Sequence, residues 1–120
     1  MFKKKKDINN VASVDTIVGK GTSIEGKLVS EGVVRIDGTF EGELNVEGDL
    51  VIGEAAQVKA VVQARNLLVV GSINGNIVTT GQLEIASTGK IKGDVETARL
   101  IIEAGGLLQG NCKMSISDEV

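Results

Sequence analysis

The most informative absences in this chain are histidine and proline, together with a near absence of aromatic residues and cysteine. Its 120 residues contain no His, Pro, Trp or Tyr, two Phe and one Cys. Histidine is the side chain most often used as a general acid or base, and it is also a common zinc ligand. A single cysteine excludes an internal disulfide, and no group of residues has metal-ligand spacing. The sequence therefore predicts neither a metal ion nor any other cofactor.

Long apolar runs are also missing. No run approaches the roughly 18 residues that a bilayer-spanning helix needs. Met1 and Phe2 are followed by four lysines, and the apolar core of a secretion signal does not follow them. We therefore expect the protein to remain in the cytoplasm.

Charge is distributed unevenly along the chain. Residues 1–6 carry four lysines and no acid, whereas the remaining chain has nine basic and sixteen acidic residues, so a +4 segment joins a −7 body. Acids outnumber bases nine to three over residues 15–54, and bases outnumber acids six to four over residues 55–113. An acidic body without interleaved aromatic residues argues against nucleic acid as a partner.

A five-residue pattern, apolar–any–Gly–any–apolar, occurs six times, with Ala replacing Gly once. Successive copies start 16, 18, 15, 18 and 17 residues apart. A second series of short strand segments begins five or six residues after the end of each of the first five copies, and a similar segment lies before the first copy. The copies are Ile24–Leu28, Phe40–Leu44, Val58–Val62, Ile73–Ile77, Ile91–Val95 and Leu108–Cys112, and the second series is Thr16–Val18, Val34–Ile36, Leu50–Ile52, Leu68–Val70, Leu83–Ile85 and Leu100–Ile102. Such a repeat indicates units that bury their apolar faces against their neighbours.

The repeat predicts a parallel β-helix. Apolar runs are short, β-branched residues dominate and sixteen glycines are present, all of which disfavour helices. About three short strands per coil give a single all-β domain, a solenoid of about six coils over residues 14–116. Short disordered tails are expected at 1–13 and 117–120. The repeated glycines should mark bends where a side chain has no room.

The acidic residues offer an enzymatic alternative. Glu25 and Glu41 occupy equivalent positions in adjacent coils, with Glu43 and Glu47 nearby, so stacked carboxylates could perturb one another. A solvated face explains them better, because they occupy outward-facing positions and no corner is long enough to build a cleft. Hexapeptide-repeat acyltransferases have a similar period but typically use a histidine, so this chain could only be a degenerate member of that class.

The two ends of the predicted solenoid carry unpaired backbone groups and no obvious cap. Uncapped ends favour stacking of one copy on another, and the alternative is a monomer with frayed ends. Cys112, in the last coil, is interpreted as a small buried apolar residue. The predicted polymer interface comprises Val14, Ile17, Ile24, Leu28, Leu107, Leu108, Cys112, Met114 and Ile116.

The chain resembles the bactofilins. The resemblance lies in Thr16–Gly26, in Ile36–Gly42 and in Met1–Phe2 before a lysine run, and it extends to about residue 114. It implies a right-handed β-helix that polymerises without nucleotide into non-polar filaments, with like ends meeting. It also implies a bacterial cytoskeletal scaffold for cell shape, polarity or envelope growth. Proline-rich flanks, common in that family, are missing, and the charge asymmetry alone would favour head-to-tail contact.

The N-terminal segment is a candidate membrane anchor. Lysines beside an anionic leaflet contribute about 1 kcal/mol each, and burial of Met or Phe adds about 1.5–3 kcal/mol. The predicted membrane-binding residues are Met1, Phe2, Lys3, Lys4, Lys5 and Lys6. The alternative is a tail that only keeps the protein in solution. The sequence thus predicts a non-enzymatic protein that forms filaments on the inner face of the cell membrane. Cell-wall or polarity proteins are further possible partners. The other alternative is an adaptor for cell-wall enzymes that does not polymerise.

Overall fold

The computed structural model describes residues 14–114, and every regular element in that range is a β-strand. No helix occurs among these residues. The thirteen strands are β1 (Thr16–Val18), β2 (Ser23–Ser30), β3 (Val34–Ile36), β4 (Thr39–Val46), β5 (Asp49–Ile52), β6 (Gln57–Ala64), β7 (Asn66–Val69), β8 (Ser72–Asn74), β9 (Ile77–Ile85), β10 (Lys90–Lys92), β11 (Val95–Ile102), β12 (Leu107–Gln109) and β13 (Cys112–Met114).

The strands form a parallel β-solenoid of about six turns, which confirms the predicted fold. Each pairing joins a strand to the equivalent strand one turn away, and all of the pairings are parallel. The six copies of the sequence pattern lie in register: Ile24 pairs with Phe40, which pairs with Val58, and the column continues to Leu108. Sequence period and structural period are therefore the same.

The solenoid has three faces, and each turn contributes one strand segment to each face. The first face comprises β8, β10, β12 and the N-terminal halves of β2, β4 and β6. The second comprises the C-terminal halves of those long strands, the starts of β9 and β11, and β13. The third comprises β1, β3, β5, β7 and the ends of β9 and β11.

Alternation along the strands directs one set of side chains into a narrow core. In β6 the exposed and buried positions alternate without a break from Gln57 to Ala64. Stacked inward residues such as Phe40, Leu44 and Ile52 are almost completely buried. Because each inward side chain contacts its equivalents one turn above and below, a turn without a neighbour loses half of that packing.

The glycine of the repeated pattern lies at a bend between the first and second faces. Gly93 has φ of +142°, and a Cβ there would lie 2.0 Å from the carbonyl oxygen of Gly75, one turn below. The prediction that these positions have no room for a side chain is confirmed at Gly42, Gly75, Gly93 and Gly110, but it is wrong at Gly26 in the first turn, where a Cβ would meet nothing in the described part of the chain. In the third turn Ala60 replaces glycine, and β6 there continues its regular alternation through the position.

One predicted strand of the third face begins one residue too late along the sequence. The sequence placed the fourth third-face strand at Leu68–Val70, but Leu67 pairs with both Leu50 and Leu83, so Leu67 and Val69 point inward. The run Leu67 to Val70 is apolar throughout, so hydrophobicity alone does not distinguish its two faces. A polar ladder fixes the register: the Asn66 side-chain amide donates to Asp49 Oδ1 at 3.0 Å.

Two buried threonines interrupt the apolar core. Thr79 and Thr97 are stacked in successive turns, and both are almost fully buried. The Thr79 hydroxyl donates a hydrogen bond to Thr97 Oγ1, which donates in turn to the carbonyl oxygen of Arg99 at 2.9 Å. The chain of hydrogen bonds satisfies both hydroxyls without water.

Candidate polymer interface at the two ends

The N-terminal end exposes core positions that are buried one turn later. Ile24 retains 38% of its accessible surface and Leu28 is half-buried, whereas their partners Phe40 and Leu44 retain 1% each. Within the described residues β2 pairs with β4 alone. Its outer edge therefore leaves a row of backbone N–H and C=O groups without strand partners, which is a template for pairing with another chain.

The C-terminal end shows the same change in burial. Ile102 is 44% exposed, while its partner Ile85 is fully buried. Met114 is 47% exposed, although it stacks directly on the buried Thr97. β12 and β13 each pair on one side only among the described residues. Apolar side chains and open backbone edges thus coincide at both ends.

Five of the residues predicted from the sequence lie in inward columns of a terminal turn. They are Ile24 and Leu28 at the N-terminal end, and Leu108, Cys112 and Met114 at the C-terminal end. Cys112 stacks on Val95 as expected, but it is exposed, not buried, because among the described residues no further turn covers it.

Two other predicted residues point sideways. Ile17 pairs with Arg35 in an outward column of the third face, and Leu107 pairs with Lys90 in an outward column of the first face. Strand alternation places both side chains on the flanks of the solenoid. Val14 precedes β1 and is half-buried. Ile116 and the segment Met1–Lys6 lie outside the described residues.

Sequence reasoning missed two members of the C-terminal end. Leu100 and Ile102 occupy the inward positions of the last third-face strand, stacked on Leu83 and Ile85. Both were recognised as part of a strand, but they precede the last copy of the five-residue pattern and were not assigned to the end. Their position in the stacked third-face column was the signal that could have identified them.

The acidic residues weighed for catalysis lie on the open surface. Glu25 and Glu41 pair in register on the first face, and both are exposed, as are Glu43 and Glu47. Among residues 14–114, no group of three or more His, Cys, Asp or Glu residues could hold a metal ion. The same range contains no helix that could span a bilayer.

Comparisons with known proteins agree with this arrangement. The bactofilin family model, described as polymer-forming cytoskeletal, matches residues 16–113. Two Myxococcus xanthus proteins are similar: Bactofilin BacP is 33% identical over 91% of this chain and 46% of its own length, and Bactofilin BacO is 25% identical over 87% and 82%. The chain therefore spans less than half of BacP.

Two solved structures of Thermus thermophilus bactofilin share the fold at 29% identity. One is a cryo-EM reconstruction of double helical filaments, with a TM-score of 0.74 over 81% of this chain and 98% of that one. The other is a crystal structure of a phenylalanine-to-arginine variant, with a TM-score of 0.70 over 73% and 98%. The family model covers most of the chain, and the chain belongs to the bactofilin family of polymer-forming cytoskeletal proteins.

Proposed function

We propose that this chain assembles end to end, without nucleotide, into non-polar filaments that act as a scaffold for cell shape or polarity. The observation that carries the proposal is the contrast in burial at the terminal turns, where Ile102 and Met114 are nearly half exposed. A second copy stacked on the C-terminal end would cover these side chains and pair the open backbone edge there. Contact through backbone and apolar side chains needs no nucleotide to drive it.

The composition of the two ends favours contact between like ends. The C-terminal end presents an entirely apolar inward set: Leu100, Ile102, Leu108, Cys112 and Met114. The N-terminal end mixes Ile24 and Leu28 with the hydroxyls of Thr16 and Ser30, which lie in the inward columns of Val34 and Val46. Pairing two C-terminal ends buries no hydroxyl, and pairing two N-terminal ends keeps the hydroxyls of Thr16 and Ser30 together on one contact, whereas every head-to-tail contact would place them against apolar partners.

Electron microscopy of the purified full-length protein in nucleotide-free buffer tests the assembly. We expect long filaments, and a reconstruction in which successive subunits alternate in direction. A repeat with every subunit in the same direction would overturn the like-end contact. Particles that remain monomeric or trimeric at high concentration would overturn polymerisation itself.

For the membrane, the proposal is that Met1, Phe2 and the four lysines at positions 3–6 bind the inner face of the cytoplasmic membrane. One tail binds weakly, because immobilisation offsets much of the few kcal/mol gained from charge and apolar burial. A filament presents many tails at once, and the resulting avidity converts weak contacts into stable attachment.

Flotation with liposomes tests the anchor and avoids counting filaments that pellet by themselves. Wild-type filaments should float with anionic vesicles and remain at the bottom with zwitterionic ones. Phe2→Glu should abolish flotation, since it replaces the apolar contact with a charge that the leaflet repels. Equal flotation of the wild type and Phe2→Glu would refute the role of Phe2, and filament formation by Phe2→Glu in the same sample would show that assembly is intact.

A further inference from the structure

The outward side of the third face carries a column of six residues, one from each turn. In order along the solenoid they are Ile17, Arg35, Val51, Leu68, Glu84 and Ile101. Four of the six are apolar, although they point away from the core, and Ile17 and Ile101 are 58% and 44% exposed. An outward apolar column on an exposed sheet is unusual enough to suggest a contact.

The order of these residues is self-complementary under inversion. The outermost turns carry Ile17 and Ile101, the two middle turns carry Val51 and Leu68, and the remaining turns carry one base and one acid. Two columns placed side by side in opposite directions therefore bring apolar residues together in four rungs. In the other two rungs Arg35 meets Glu84 of the second copy.

A neighbouring column on the same face follows the same rule. This column begins with Asp15 in the first turn and ends with Arg99 in the last turn. Between them it holds Asp49 and otherwise uncharged residues. A two-fold axis parallel to the strands reverses the order of the turns in the second copy, while each column still faces the same column of that copy. Asp15 therefore meets Arg99 of the second copy. A two-fold axis along the solenoid would instead place Arg35 opposite Arg35 and Glu84 opposite Glu84, and like charges repel.

We propose that the third face is the lateral contact between two copies of this chain lying antiparallel. Sheets pack face to face about 10 Å apart, a separation that side chains such as Arg35 and Glu84 can bridge. The proposal goes beyond end-to-end assembly, and it rests on that assembly for its strength.

The charged side chains of the third face can form ion pairs with a second copy. Arg35 Nε donates to Asp37 Oδ2 at 2.9 Å, which holds the guanidinium in place and leaves its terminal nitrogens available. Asp15 accepts a hydrogen bond from the backbone of Val33 at 2.9 Å through one carboxylate oxygen. Within residues 14–114, the ion pairs are Arg35–Asp37 and Arg65–Asp49, so Glu84 and Arg99 form no ion pair with another residue of that range.

The size of the face explains why the contact should require polymerisation. Strands of about three residues with their flanks give a width of about 15 Å, and six rungs give a height of about 29 Å. A pair of copies would bury about 800 Å² in total, below the roughly 1,200 Å² of the smallest stable complexes. Two filaments join many such faces in series, so single copies stay apart while filaments pair.

Charge reversal with rescue tests the proposal in the full-length protein. We expect wild-type filaments to pair at low salt in negative-stain images, and Glu84→Arg or Arg35→Glu to reduce the paired fraction at least tenfold while single filaments persist. The double variant R35E/E84R should restore pairing, because each copy again presents opposite charges in the inverted positions. Glu96→Arg makes the same charge change on the second face and should leave pairing unchanged.

The outcomes separate this inference from the proposed polymerisation. Unpaired wild-type filaments, pairing that survives in Glu84→Arg, or a double variant that stays unpaired would each overturn the lateral contact. A wild type that forms no filament would overturn polymerisation instead. Circular dichroism and thermal melting of each variant check the fold, so that loss of pairing is not read from an unfolded protein.

Discussion

Replacing Met114 with glutamate tests the end contact most directly. Full burial of a methionine side chain contributes about 1.5–3 kcal/mol, and 47% of Met114 is exposed, so each copy gains about 1 kcal/mol on contact. A contact between like ends contains Met114 twice, which gives about 2 kcal/mol. The variant loses this term and adds two facing carboxylates whose burial costs several kcal/mol more.

The expected total is about 4 kcal/mol or more per contact, which corresponds to a rise in critical concentration of about a thousandfold. Pelleting over a concentration series measures the critical concentration directly. The turns below Met114 keep their packing, so we expect the far-ultraviolet spectrum to match the wild type.

Lys113→Glu is the matched control for this variant. Lys113 lies next to Met114 in β13 but pairs with Glu96 in an outward column, so its charge can be reversed without placing a carboxylate in the contact. A critical concentration for Met114→Glu within threefold of the wild type would refute the reasoning. Equal loss of assembly in Lys113→Glu would show that charge, not position in the end surface, governs assembly.

Two further predictions concern the core. In urea titrations, Gly93→Ala should lower the free energy of unfolding by at least about 2 kcal/mol more than Gly26→Ala. Gly93 and Gly26 have nearly the same φ, +142° and +140°, but only a Cβ at residue 93 would meet a carbonyl oxygen, at 2.0 Å. Equal losses of stability in the two variants would contradict this reasoning. Thr97→Val should lower the free energy of unfolding by about 1–3 kcal/mol and Thr79→Val by less, because only Thr97 also donates to the Arg99 carbonyl oxygen. A larger loss in Thr79→Val than in Thr97→Val, measured by the same titration, would refute the assignment of these hydrogen bonds.

Most of the fold follows from the sequence because its stacked strands repeat the same alternation. Phe40 and Leu44 are recognisable as core residues from spacing alone, and the structure buries both. The pattern fails at Leu67 to Val70, where four apolar residues in succession fit either register. Register there depends on Asn66 and Asp49, and a hydrogen bond between side chains 17 residues apart is not visible in hydrophobic periodicity.

The end surface was harder to predict than the fold because residue type and position give different answers. Ile17 and Leu107 are apolar and belong to terminal turns, yet alternation turns them outward. Ile102 is also apolar and terminal, but it lies in β11 ahead of the last five-residue pattern, so its place on the end became clear only from its pairing with Ile85. Identifying an end requires the full register, whereas identifying the core requires only the period.

The proposed lateral contact meets only part of the charge asymmetry along the solenoid. Residues 15–54 carry nine acids and three bases, a net charge of −6, while residues 55–113 carry six bases and four acids, a net charge of +2. Complementary halves alone would favour head-to-tail stacking, but the charges lie on the flanks, where salt screens them beyond about 8–10 Å. Antiparallel packing side by side brings Asp15 of one copy to Arg99 of the other, whereas Glu25 and Glu41 lie on the first face, outside this contact. The lateral contact therefore uses only a few of these charges, and the apolar side chains at the two ends govern the end-to-end contact.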